Sequence, residues 1–272
     1  LNKFVSPYSP NTDSDRTEML KSIGVSSEKD LFKDIPSKFV DPELNLPNPR
    51  SELDLHSELY RLSRMNKTPG EIPSFLGAGS YRHFTPSAVK QIVSRGEYMT
   101  AYTPYQPEVA QGTLQTGYEF QTMVCELTGM EIANSGMYEG ASALAEAALM
   151  SVRINKRTEV IILNSISPLY IDVIKTFVEA PSIKLVTANS IADLESKISS
   201  ETSCVLVQNP NFFGFMENLE SISNITKKHD SLMVVSSDPI SMALFKPPGD
   251  YDADIVVSEG QSLGIPPSFG GP

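Results

Sequence analysis

An α/β fold is what this sequence predicts: a parallel sheet covered by helices on both faces, with a helical arm in front of it. Three observations carry that reading. Short, fully apolar runs such as Val160-Ile161-Ile162-Leu163 recur in the second half, too continuous for strands with one wet face. Helical patterns alternate with those runs, as crossovers between parallel strands require. The first 68 residues carry capping signals and prolines instead, so residues 1–68 read as an arm and 69–272 as one large domain.

In the arm, Asp13 or Ser14 caps a helix bearing Met19, Leu20 and Ile23 that Gly24 stops, and Ser27 with Asp30 resembles a capping box. Pro42, Pro47 and Pro49 keep the next stretch extended. From Ser51 onward, Leu55, Leu59, Leu62 and Met65 recur at helical spacing, giving an apolar stripe that needs a cover. Residues 75–84 and 98–107 then form loops rich in Gly, Tyr and Pro, suited to a ligand pocket, a subunit interface or a packed surface. Between them Thr85-Pro86 opens a helix with Val89, Ile92 and Val93 on its apolar face, and Gly96 ends it. A helix from about Tyr118 ends at Gly129, and an Ala-rich helix starts near Gly140. Strands are expected at 160–163, 183–186, 204–207, 232–235 and 254–257, with helices at 170–178, 191–198 and 219–228.

The charge balance, 22 Lys+Arg against 33 Asp+Glu and a net charge of −11, argues against nucleic-acid binding, which needs clustered cations. A hydrophobic content of 40% is enough for a large core, yet no apolar run approaches the roughly 20 residues of a membrane span. The opening residues, with Pro7 and Pro10, do not read as a secretory signal, so a cytoplasmic location is expected. Cys125 and Cys204 lie in apolar segments and are expected as buried thiols. His56, His83 and His229 show no metal-ligand spacing.

In an open parallel sheet ligands bind at the carboxyl ends of the strands, so the segments there are the candidates. Asn134-Ser-Gly-Met-Tyr-Glu-Gly140 leads into the Ala-rich helix, whose free N–H groups suit an anion; Glu139, however, already answers the helix dipole, so a simply capped helix stands as an equal reading. Asn209, in Gln208-Asn-Pro-Asn-Phe-Phe-Gly214, suits a planar ligand or an Asn-Pro turn. Asp238 could pair with a cationic ring nitrogen or build an Asx turn. The segment 258–272 is rich in amides and hydroxyls and holds no nucleophile with a base beside it. Walker, GxGxxG and GxSxG motifs are absent, and residue chemistry alone names no reaction.

The strings PSFLGAG (73–79), YMTAYTPYQPEVAQG (98–112), QTMVCELTG (121–129), MYEGASALAEAA (137–148), QNPNFFG (208–214) and EGQSLGIPPSFGGP (259–272) together resemble the glycine cleavage P-protein family, the decarboxylating glycine dehydrogenases. The likeness is to the N-terminal-type subunit of the family's two-subunit form and runs over most of residues 19–272. It implies the fold type I large domain of pyridoxal-phosphate enzymes, three α/β/α layers around a mainly parallel seven-stranded sheet. A chain ending at Gly271-Pro272 is expected to lack that family's small C-terminal domain.

The resemblance also implies a division of labour. Glycine is decarboxylated on pyridoxal phosphate held by a homologous second subunit, and the aminomethyl group passes to the lipoyl arm of H-protein. Laid against the partner-type lysine motif from its final proline backwards, 259–272 puts Gln261 at the lysine position, and Gln forms no imine. Gly136, Tyr138, Asn209, Asp238 and Gln261 are then degenerate equivalents of cofactor-binding positions, with no covalent cofactor expected here. Decarboxylation needs the Cα–carboxylate bond held perpendicular to the cofactor ring and water kept out, and paired protomers build such pockets jointly. Tyr102, Thr103, Tyr105, Gln106 and His83, with Tyr81, are the residues expected to enter the partner's pocket. A non-catalytic scaffold and an autonomous pyridoxal-phosphate enzyme remain as alternatives; the second needs a lysine after the last strand, and 250–272 has none.

Overall fold

The computed structural model describes residues 8, 10–40, 42–68, 70–73, 75, 77, 79 and 81–266. Residues 74, 76 and 78 of the first glycine-rich string and 267–272 of the last lie outside them. The chain divides into two compact units, Leu1–Lys67 and Thr68–Pro272.

In the first unit, α1 (Asp13–Ile23) ends on Gly24 in the left-handed conformation (φ 85°), which glycine adopts without a Cβ penalty. Its cap is Thr12, not Asp13 or Ser14, because Asp15 returns the bond to the Thr12 backbone N–H at 2.7 Å and completes a capping box. Ser27 and Asp30 form the expected box on a 3-10 turn, Glu28–Phe32. The helix α2 (Glu52–Ser63), capped by Ser51, carries the predicted stripe, with Leu55, Leu59, Leu62 and Met65 exposed.

The second unit opens with α3 (Ser87–Val93) and α4 (Gly96–Met99). Pro86 rather than Thr85 occupies the cap of α3, and Gly96 starts α4 instead of ending α3, since Arg95 is extended and turns the chain between them. The next helix, α5 (Gln111–Thr128), starts seven residues before Tyr118 and ends at Gly129 as expected. Then α6 (Gly140–Asn155), β1 (Glu159–Leu163), α7 (Pro168–Glu179), β2 (Lys184–Ala188), α8 (Ile191–Lys197), β3 (Thr202–Gln208), α9 (Leu219–Lys228), β4 (Leu232–Ser236) and β5 (Ile255–Val257) follow.

The strands form one parallel sheet of order β2-β1-β3-β4-β5. Alternate residues serve opposite faces. Val160, Ile162, Cys204, Leu206 and Val234 pack with Leu144 and Ala148 of α6 and Ile174 and Val178 of α7. Ile161, Leu163, Val205, Val207, Met233 and Val235 pack with Leu194 of α8 and Leu219, Ile222 and Ile225 of α9. Among the described residues the sheet has five strands, not seven. The Gly-, Ser- and Asn-bearing stretch between Gly129 and Gly140 enters no ladder, and β5 pairs only with β4. Cys204 is buried, and burial pushes its thiol up to about 12; Cys125 is only half-buried, because its helix lies at the margin of the core rather than within it.

The amino edge of the sheet is tied by Arg157, whose Nη1 donates to the carbonyls of Thr202 (3.2 Å), His229 (2.8 Å) and Asp230 (2.9 Å). Those carbonyls end the turn into β4 and the start of β3, so one guanidinium joins three segments. Arg157→Ala is expected to cost about 2 kcal/mol by removing three charge-assisted hydrogen bonds, although Ser231 Oγ still donates to the Thr202 carbonyl. Urea denaturation checks this, and an unchanged midpoint would show that water replaces the guanidinium fully.

Candidate active site

The sheet order reverses at β1, so the crevice at the carboxyl ends of β1 and β3 is where such sheets bind ligands. Here hydrogen bonds stitch the strand-end loops together. Ser167 N–H donates to Gln208 Oε1 (2.8 Å) and Phe212 N–H to the Ser165 carbonyl (2.9 Å). Ser237 Oγ donates to the Asn209 carbonyl (2.9 Å), and Ser258 Oγ to the Ser237 carbonyl (2.7 Å). Asn209 is buried, and its Oδ1 accepts the Glu217 N–H (2.9 Å), so its amide oxygen serves the loop. Asp238 Oδ1 accepts the Ile240 N–H (2.9 Å), which is the Asx-turn geometry, and also faces Ser262 Oγ at 3.4 Å. A separate cavity of about 280 Å³ at the ends of β1 and β2 is lined by Leu163, Asn164, Asn189, Asn211, Phe213 and Glu217.

The start of α6 lies against the segment after β5. Glu139 is its cap, accepting the N–H groups of Ala141 (2.6 Å) and Ser142 (2.8 Å), and its carboxylate also meets the Ser142 hydroxyl. Glu259 Oε2 accepts the Gly140 N–H at 2.8 Å, while its Oε1 accepts the Gln261 N–H at 3.1 Å. The first three N–H groups of the helix therefore all meet carboxylates, which the helix dipole favours. Tyr170 of α7 closes over this point: a Cβ on Gly140 would stand 2.5 Å from its hydroxyl, so any larger residue would have to push the Tyr170 side chain aside. Burial pushes the Tyr170 hydroxyl up to about 12, helped by the Glu259 and Glu139 carboxylates and then by Tyr81. Gln261 is buried, and its Nε2 donates to the Ile265 carbonyl at 2.6 Å.

Pyridoxal phosphate needs a lysine amine for its aldehyde carbon and free donors for its phosphate. After β5 stands a bonded glutamine, Gln261, and the donors at the start of α6 are taken by two carboxylates. The residues present do not fit the group.

The loop residues lie apart from the strand ends. Tyr102 and Tyr105 are 94% and 81% exposed, Tyr138 is fully exposed, and Thr103 and Gln106 are exposed too. Among the described residues no hydrogen bond joins 102–106 to the strand-end cluster. Gly136, at φ 124°, donates its N–H to Asn134 Oδ1 (3.1 Å). His83 is half-buried, stands edge-on to the Tyr81 ring at 6.4 Å, and has a buried Nε2 without a hydrogen-bond partner. Sequence reasoning missed Tyr170, which reads only as part of a helix; nothing in its spacing points to Gly140.

A profile of the glycine cleavage system P-protein family matches residues 6–272. The chain belongs to that family. Among P-protein relatives, the probable glycine dehydrogenase (decarboxylating) subunit 1 of Desulforamulus reducens is 46% identical over 272 residues, covering 97% of this chain and 61% of the relative. The protein of the same description from Chloroherpeton thalassium is 47% identical, covering 98% and 62%. This P-protein chain therefore spans about three fifths of the length of the curated relatives it matches. The crystal structure of glycine decarboxylase (P-protein) of the glycine cleavage system, in inhibitor-bound form, superposes with a TM-score of 0.87 at 41% identity, over 98% of this chain and 61% of that one. A sphingosine-1-phosphate lyase of Burkholderia pseudomallei shares the fold alone, with a TM-score of 0.52 at 13% identity over 85% of this chain and 57% of that one. The α/β reading and the fold type I expectation agree with these likenesses. No helix among the described residues is long and apolar enough to cross a membrane.

Proposed function

We propose that this chain is the half of a cytoplasmic glycine-decarboxylating enzyme that lacks the Schiff-base lysine. It works with a homologous partner subunit that carries pyridoxal phosphate, and the pair decarboxylates glycine and passes the aminomethyl group to the lipoyl arm of H-protein. The observation that carries this reading is the start of α6, where Glu139 and Glu259 take the donors that a cofactor phosphate would need. The partner's pyridoxal phosphate supplies the electron sink for decarboxylation.

This chain's part is to orient and to exclude water. Tyr102, Thr103, Tyr105 and Gln106 offer exposed hydroxyl and amide groups on a loop, the right chemistry to hold the carboxylate of glycine in a neighbour's pocket. The unpartnered Nε2 of His83 is one more polar group for a substrate or partner atom. The test is reconstitution with the partner subunit and lipoylated H-protein. Glycine-dependent release of carbon dioxide should need both subunits, with the partner alone running at about a hundredth of the mixture or less. Equal turnover by the partner alone would overturn the proposal.

A further inference from the structure

We infer that Glu259 is a built-in anion: its carboxylate stands where a phosphate would neutralise the start of α6, and it thereby latches the segment after β5 onto that helix. The inference rests on the reading that this chain's own pocket carries no pyridoxal phosphate, and it adds what holds that pocket in shape.

The geometry is specific. Glu259 uses both oxygens, Oε2 on the Gly140 N–H at 2.8 Å and Oε1 on the Gln261 N–H at 3.1 Å, bridging parts of the chain 119 residues apart. Glu139 takes the next two N–H groups, leaving none of the first three to an external ligand. The bridge decides where the following 3-10 turn, Gly260–Leu263, sits. From that turn Ser262 Oγ reaches Asp238 (3.4 Å), Gln261 Nε2 reaches the Ile265 carbonyl (2.6 Å), and Gly264 lies against Val89 of α3, to which a Cβ on it would stand at 3.4 Å. One carboxylate thus positions contacts with the loop after β4 and with α3 that a phosphate-dependent site would owe to its cofactor. Glu259 is a positioning residue. The tight fit of Gly140 under Tyr170 keeps the helix end close enough for the bond.

Amide hydrogen exchange and phosphate-dependent melting of the full chain test this. Glu259→Ala should speed exchange at Gly140 and across 260–265 by about tenfold or more and lower Tm by about 5 °C, whereas Glu259→Gln, which keeps an acceptor, should retain most of the protection. The double variant Glu139→Ser/Glu259→Ala keeps a capping oxygen but frees the site of charge; inorganic phosphate at millimolar concentration should raise its Tm and leave the wild type unmoved. Unchanged exchange in Glu259→Ala would overturn the latch. So would a wild type that responds to phosphate as the double variant does, or a double variant that loses protection yet ignores phosphate. A covalent pyridoxal adduct on the wild-type chain would instead sink the reading that it lacks a Schiff-base lysine, so the two failures are distinguishable.

Discussion

Tyr105→Phe and Gln106→Ala should each lower glycine turnover in the reconstituted complex by about tenfold or more, with assembly unaffected. Each removes polar atoms from an exposed side chain without disturbing the backbone that presents it. The Tyr105 N–H already donates to the Thr103 carbonyl at 2.8 Å, and the Gln106 carbonyl accepts the N–H groups of Val109 (3.2 Å) and Ala110 (3.1 Å). The loop is therefore shaped by its own main chain, and a loss of rate reports lost contacts rather than a collapsed loop. Steady-state kinetics beside a binding assay separates the outcomes. Turnover unchanged in both variants would favour a scaffold that only stabilises its partner.

The largest effect on stability is expected from Gly249→Ala. Gly249 lies in the 3-10 turn Pro248–Tyr251, packed directly on Gly129, the left-handed residue that ends α5. A Cβ there would fall 2.5 Å from the Gly129 carbonyl carbon and 2.9 Å from its Cα. Both obstacles are backbone, so no side chain can swing aside, and the turn must part from the helix end. We expect a cost of about 3 kcal/mol, seen as a Tm lower by roughly 6–12 °C. Gly260→Ala is the control: nothing lies within 4 Å of its Cβ position, so its effect should stay within about 0.5 kcal/mol. Equal melting of the two variants would mean that the helix end and the turn are not in contact in solution.

The central strands β1, β3 and β4 were legible in the sequence because each is a short apolar run buried on both faces, β2 and β5, at the sheet edges, only as partly buried apolar runs, and the helix from Gly140 because Ala is crowded into it. Helix starts were less legible. Thr12, Asp13 and Ser14 are all competent caps, and the choice fell to the residue whose bond Asp15 could return. Gly96 reads as a stop from its pattern alone, although glycine also suits the first turn of a new helix. In the candidate site, the conflict between Glu139 and a phosphate was visible from the dipole of the following helix. Its resolution was not, because Glu259 and Tyr170 reach Gly140 only through the tertiary fold, from the segment after β5 and from α7. Asn209 and Asp238 each offered a ligand and a turn; their side chains are engaged in the turns.

On the proposed reading this chain lends its loops to a cofactor it does not itself hold. The most direct test is intact mass after adding pyridoxal phosphate and reducing with borohydride, for this chain alone and mixed with its partner subunit. No adduct is expected on this chain in either sample, and one is expected on the partner, with the partner's cofactor absorbance altered by mixing. A single specific adduct on this chain would contradict that reading and make the chain a cofactor-bearing enzyme in its own right.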